Sequence, residues 1–337
     1  MRSRMMIATL LFATPLLAQR IPLNDLGNGK YLGQFEGGLY EHGTNTPPAD
    51  HLAIGLGQSA QVRPLDRDGK PSASGKVVMV SVGMSNTTQE FCATGNPAPC
   101  TPWSFSGQAS ADPAVNHSTL VLINGARSGQ AADSWESPSQ QDWDGVKANL
   151  TAAGLTEAQV QAAWIKQANI QPKVSLPSSN ADAYRLVGQL GNIARALKTR
   201  YPNIRLAYFS SRIYAGYATS LLNPEPYAYE TGFAVKWLIE AQVEQERTGK
   251  IDPLAGDLGP SAAPWLSWSA YLWADGLNPR SDGLTWARNE LESDGTHPAQ
   301  AAEQKVGSML LAFFKSDLTA RSWFLNAAPA RRRAAEH

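Results

Sequence analysis

Two short segments, far apart in the chain, carry residue types suited to nucleophilic catalysis. The first is Ser81-Val82-Gly83-Met84-Ser85-Asn86-Thr87-Thr88, in which a glycine two places before Ser85 lets the chain turn sharply and present the hydroxyl. Taken alone, this serine could equally cap a helix. The second is Ser293-Asp294-Gly295-Thr296-His297-Pro298. An aspartate three residues before a histidine lets one loop supply both a general base and the carboxylate that orients it. Elimination points the same way, because the chain has only five histidines. His42 and His51 lie in a Gly- and Pro-rich N-terminal stretch, His117 precedes an apolar run, and His337 is terminal.

Two further segments end apolar runs with groups able to stabilise negative charge. Asn124-Gly125-Ala126-Arg127-Ser128-Gly129 has glycines that permit close backbone approach, so that an amide can face an anion. Lys166-Gln167-Ala168-Asn169 places a side-chain amide where it can face a developing oxyanion. Each segment by itself also reads as an ordinary turn.

The four segments, in this order, resemble the blocks of the SGNH/GDSL hydrolase family over about residues 76–315. The resemblance implies Ser85 as nucleophile, and His297 and Asp294 as base and orienter. It also implies an oxyanion hole from the amides of Ser85 and Gly129 and the side chain of Asn169. Two departures stand out. Met84 and Asn86 flank the serine where the family usually has Asp and Leu, and the third block reads Gln167-Ala168-Asn169-Ile170 in place of Gly-x-Asn-Asp. That third block is more similar to the glutamine-bearing block of sialate-type and other carbohydrate acetylesterases, which brings Gln167 forward as a substrate contact. The implied reaction is acyl transfer through an acyl-enzyme, with no metal or organic cofactor.

Such residues need a scaffold that brings loop ends together. Val77 to Val82, Thr119 to Ile123, Ala162 to Ile165 and Ile204 to Phe209 are short apolar runs, as expected of strands buried on both faces. Helical stretches alternate with them: Thr156 to Gln161 leading into the third run, Ala181 to Thr199, Tyr229 to Arg247 and Pro298 to Lys315. The alternation predicts an α/β fold, a three-layer α/β/α sandwich around a mainly parallel sheet, and the resemblance implies its flavodoxin-like form. Ligands then bind where strands end, which is where three of the four segments lie, the fourth standing directly before a helix.

Composition fits a globular domain: 337 residues, 43% hydrophobic and 17% charged. A formal net charge of zero gives no electrostatic reason for nucleic acid or an anionic membrane as the main partner. Arg2 and Arg4 precede an apolar run from Met5 to Leu17, then Ala18 and Gln19, the order of a secretory signal peptide and too short for a comfortable span. We therefore expect a signal peptide over 1–19, an irregular extension over 20–75 packed on the main domain, the catalytic domain over 76–318, and a polar tail over 319–337. Export makes the protein secreted or periplasmic and favours a bridge between the two cysteines, Cys92 and Cys100. The alternative is two buried thiols, whereas a zinc site would lack a nearby histidine.

Substrate contacts are less legible. Trp265, Trp268, Tyr271, Trp273 and Trp286 crowd the stretch before the last segment and can stack on sugar rings or simply pack a core or lid. Arg127 and Arg212 follow apolar runs and can reach a polar or anionic substrate or form surface ion pairs. Export, neutral charge and the sialate-like third block favour a small-molecule or carbohydrate ester carrying a short acyl group such as acetyl. The other readings are a lipid or aryl ester hydrolase and a non-catalytic carbohydrate-binding or surface protein on the same fold. Nothing in the sequence speaks to oligomeric state.

Overall fold

Every one of the four apolar runs becomes a strand, and a fifth strand joins them. The computed structural model describes residues 20–93 and 99–326, so the expected signal peptide and the end of the expected tail, residues 327–337, lie outside the described residues. In chain order come α1 (Leu23–Leu26), a small hairpin of β1 (Lys30–Tyr31) and β2 (Phe35–Glu36), and α2 (Ala49–Ser59). The main domain follows as β3 (Val77–Gly83), α3 (Ser85–Phe91), α4 (Phe105–Ala111), β4 (Leu120–Ile123), α5 (Gln141–Ala152) and β5 (Val160–Lys166). It continues with α6 (Asp182–Arg200), β6 (Leu206–Phe209), α7 (Tyr227–Thr248), β7 (Trp265–Trp268), α8 (Gln300–Ser316) and α9 (Arg321–Phe324).

The sheet order is β4-β3-β5-β6-β7 and every pairing is parallel. The chain thus leaves β3 for β4 on one side and returns to β5 on the other, a flavodoxin-like order. The point where the order reverses, between β3 and β5, opens a crevice at the carboxyl ends of the strands. Along β3 the side chains alternate. Val78, Val80 and Val82 join the core containing Trp143, Leu190 and Phe233 from α5, α6 and α7, whereas Val77 and Met79 join Phe91, Phe105 and Phe314 from α3, α4 and α8. Each such side chain, removed fully from water, contributes about 1.5–3 kcal/mol. The result is three layers, helix on sheet on helix.

Local signals explain the main helices. In α6 the apolar Leu186, Leu190, Ile193 and Leu197 are all buried at helical spacing, and the helix stops two residues before Pro202. Helix α7 ends at Gly249, whose φ of 75° and N–H bond to Gln245 O form a left-handed cap.

Three expectations are revised. The aromatic stretch Trp265–Trp268 is edge strand β7, whose brevity and lack of alternation gave no strand signal. The N-terminal stretch contains an eleven-residue helix, α2, and covers that edge. His51 Nε2 meets Leu266 O at 2.8 Å, Trp265 Nε1 donates to His51 O at 3.0 Å, and Gly55 packs so closely on the Trp265 ring that a Cβ there would fall 2.4 Å from it. The expected tail is packed as far as Leu325: Thr319, Ala320 and Phe324 are fully buried, and Leu325 bridges to Val115. Among the described residues, no helix is long and apolar enough to cross a membrane.

Candidate active site

Ser85 opens α3 directly after β3, so its hydroxyl stands at the carboxyl end of a central strand. Gly83 is the last residue of that strand, and a Cβ there would fall 2.4 Å from Lys166 O. Only glycine lets β3 and β5 run this close while the chain turns toward Ser85.

The loop before α8 supplies the partners. His297 Nε2 lies 2.7 Å from Ser85 Oγ, and His297 Nδ1 lies 2.5 Å from Asp294 Oδ2. The other oxygen, Asp294 Oδ1, accepts the N–H groups of Thr296 at 2.9 Å and His297 at 3.0 Å. Gly295 between them has a φ of 66°, and a Cβ there would meet Tyr217 O at 1.9 Å, so the loop presses against residues 217–219. Thr219 N donates to Asp294 O at 2.9 Å and anchors that contact. Burial raises the Asp294 carboxyl, but the two backbone N–H donors and the His297 ring outweigh it, and the group is held below its ordinary value. It is therefore a carboxylate at neutral pH and accepts only, which places the ring hydrogen on Nδ1 and leaves Nε2 to accept from Ser85.

The second segment is tied to the first strand by Ser81, whose Oγ donates to Asn124 Oδ1 at 2.8 Å and accepts the N–H of Gly125 at 3.1 Å. This carries Gly129 to the site, where its N–H has no acceptor among the described residues. Asn169 follows β5, and its Nδ2 donates to Asp182 O at 2.7 Å, which uses one of its two N–H groups. Asn223 Nδ2 in turn donates to Asn169 O at 3.0 Å.

A cavity of about 840 Å³ is lined by Ser85, Gly129, Asn169, Arg212, Asp294 and His297 together with Met84, Asn86, Ile170, Leu222 and Asn223. All five of the residues expected as triad and oxyanion hole thus meet in one place. The expected substrate contacts divide. Arg212 lines the cavity from a fully buried position; its Nη2 is 3.5 Å from Thr296 O, and burial lowers its pKa against the charges of Glu90, Glu225 and Asp294. Arg127 does not line the cavity, being ion-paired with Asp142 at 2.9 Å. Gln167 is buried outside it with neither side-chain polar atom bonded among the described residues. Trp268 sits in β7 with Nε1 donating to Leu39 O at 2.6 Å, and Trp265, Tyr271, Trp273 and Trp286 are buried likewise. The tryptophan-rich stretch is core: Trp265 and Trp268 belong to edge strand β7, and Tyr271, Trp273 and Trp286 are buried in the two hydrophobic cores.

Lys166 at the end of β5 and Glu90 on α3 form a fully buried ion pair. Burial raises the Glu90 carboxyl and lowers Lys166 to about 8, each shift opposed by the attraction of its partner. Cys92, at the end of α3, is bridged to Cys100. Neither the Lys166–Glu90 pair nor a bond from Asn86 to the histidine loop was foreseen. A polar residue where the family has leucine was the one available signal for Asn86.

No family model matches the chain, and no curated protein matches it. Solved structures do. A protein from Arabidopsis thaliana is 10% identical with a TM-score of 0.40, over 72% of this chain and 99% of its own. A putative SGNH hydrolase from Slackia heliotrinireducens is 15% identical with a TM-score of 0.35, over 71% of this chain and 100% of its own. A carbohydrate esterase family 3 structure from Talaromyces cellulolyticus is 11% identical with a TM-score of 0.36, over 72% and 98%. This chain is similar to SGNH hydrolases and carbohydrate esterases.

Proposed function

We propose that the chain is a serine esterase that hydrolyses carboxylic esters through an acyl-enzyme. The observation that carries this reading is the continuous relay from Asp294 Oδ2 through the His297 ring to Ser85 Oγ, with hydrogen bonds of 2.5 and 2.7 Å. His297 Nε2 takes the proton from Ser85 as its oxygen attacks the ester carbonyl. The tetrahedral oxyanion is held by the N–H groups of Ser85 and Gly129 and by the free N–H of the Asn169 amide. The Ser85 amide is available because the first N–H groups of a helix have no acceptor within it. His297 then protonates the leaving alcohol, and water repeats the cycle on the acyl-enzyme. No step calls for a metal or organic cofactor.

For the substrate we propose a short acyl group, acetyl first, on a carbohydrate, processed by a secreted or periplasmic enzyme. The export-type leader, the neutral charge and the sialate-like third block support it; the tryptophans do not, since they are buried. A second reading, a lipid or aryl ester, is favoured by one observation. Ile170 and Leu222 line one wall of the cavity, and Ile170 and neighbouring Leu221 are 43% and 74% exposed. A non-catalytic role has nothing comparable in its favour, since a binding protein has no use for a serine hydroxyl aligned on an imidazole.

The test is labelling by a fluorophosphonate probe, followed by hydrolysis of acetylated polysaccharides, short- and long-chain nitrophenyl esters and feruloyl esters. Ser85→Ala should abolish labelling and lower turnover by several orders of magnitude with the fold intact. His297→Ala should do nearly as much, and the double variant scarcely more, because the residues act as one unit. Near-normal turnover by Ser85→Ala would overturn the esterase reading.

A further inference from the structure

We propose that Asn86 is a positioning residue for the Ser85–His297 pair, an inference that rests on the esterase reading above. Asn86 is the second residue of α3, next to the nucleophile, and is 2% exposed. Its Nδ2 donates to the backbone carbonyl of Thr296 at 2.9 Å, and Thr296 is the residue next to the base. Two neighbours on the helix therefore hold two neighbours on the loop: Ser85 to the His297 ring at 2.7 Å, and Asn86 to the Thr296 carbonyl.

The second bond matters because little else holds that carbonyl. Its other donor is Arg212 Nη2 at 3.5 Å, too long for a strong bond. The backbone N–H groups of Thr296 and His297 point the opposite way, to Asp294 Oδ1, and fix the loop on itself rather than on the nucleophile. The anchors at Thr219 and Tyr217 tie the loop to residues 217–219 and not to α3. Asn86 is thus the short contact that registers the loop against the helix carrying Ser85. Without it, Thr296 O is left in a buried place with one weak donor, and the loop gains freedom to move away from α3. A shift of an ångström at the base separates Nε2 from Ser85 Oγ while leaving the cavity walls that bind substrate in place. This also accounts for a polar residue where leucine is usual, since leucine cannot donate.

The experiment compares kcat, KM and thermal melting of the full chain with those of Asn86→Ala and Asn86→Asp on a nitrophenyl acetate. The aspartate variant is isosteric, replaces the donor by an acceptor, and carries the test if the alanine variant does not fold. We expect kcat to fall about tenfold to a hundredfold in both, with KM within about twofold of the parent, as for a misplaced catalytic group. The second readout is coupling: in a His297→Ala background the same changes should alter the residual kcat on the same ester by less than about threefold, because the base they position is gone. A kcat within about twofold of the parent, or an equal loss with and without His297, would show a merely structural residue and overturn the proposal. A His297→Ala variant at full rate would instead overturn the esterase reading, a result distinct from both.

Discussion

Asp294 divides its carboxylate between its own loop and His297: Oδ1 accepts the N–H groups of Thr296 and His297, and Oδ2 accepts from the His297 ring at 2.5 Å. One residue thereby fixes both the path of the backbone and the tautomer of the His297 ring. The two jobs are separable, because an amide oxygen can still accept backbone N–H groups while an amide nitrogen cannot accept a ring hydrogen.

Asp294→Asn should therefore fold like the parent and turn over far more slowly. If the asparagine oxygen keeps the two backbone N–H groups, its NH2 faces Nδ1 and favours the tautomer with hydrogen on Nε2, which cannot accept from Ser85. The expected loss in kcat is on the order of a thousandfold to ten-thousandfold, read against an unchanged melting temperature. A loss below tenfold with the same fold would deny Asp294 the orienting role.

A pH dependence of stability follows from Glu230, on α7 below Asn169. Burial pushes its carboxyl up to about 8 from an ordinary value of 4.5, against the opposing N–H of Leu176 and hydroxyl of Tyr31. The folded protein keeps this proton where the unfolded chain has released it, so folding binds protons between those two values. Stability is then full below about 4.5 and declines as pH rises through about 8. Glu230→Gln removes the titration and keeps an acceptor for Leu176 N. Melting temperatures measured from pH 5 to 8.5 should fall more steeply in the parent than in the variant, and parallel curves would contradict the assignment.

What could be read from the sequence divides along physical lines. Strands β3, β5 and β6 are buried on both faces, so they are continuous apolar runs, and the block order gave their loop ends. Strand β7 is four residues of Trp-Leu-Ser-Trp at an edge, and what makes it a strand is its pairing with β6 and the cover from α2, neither of which is local. Trp268 reads as a candidate substrate contact for that reason: an aromatic side chain looks the same in sequence whether it stacks on a sugar or fills a core. Arg127 failed differently, through an ion pair with Asp142 on a helix the sequence did not show. Asn86 could be seen as unusual but not as bonded, because its partner Thr296 is brought near only by the fold.

The oxyanion hole gives the sharpest remaining test, because the third block departs most from the family and offers two amides. Asn169 lines the cavity, and Asp182 O takes one N–H of its amide, so that the second N–H has no acceptor among the described residues. Gln167, two residues earlier, is 2% exposed and does not reach the cavity wall. An amide that meets the oxyanion binds the charged tetrahedral state better than the neutral ester, so its loss lowers kcat with little change in KM. Asn169→Ala should cost on the order of a hundredfold or more in kcat. Gln167→Ala should leave kcat near the parent value and act, if at all, on melting temperature, since it changes only packing behind the site. Both variants are to be measured on the same ester with a thermal-melt control. A kinetic defect confined to Gln167→Ala, with Asn169→Ala losing only stability, would move the third donor from Asn169 to Gln167 and require the loop after β5 to rearrange when substrate binds.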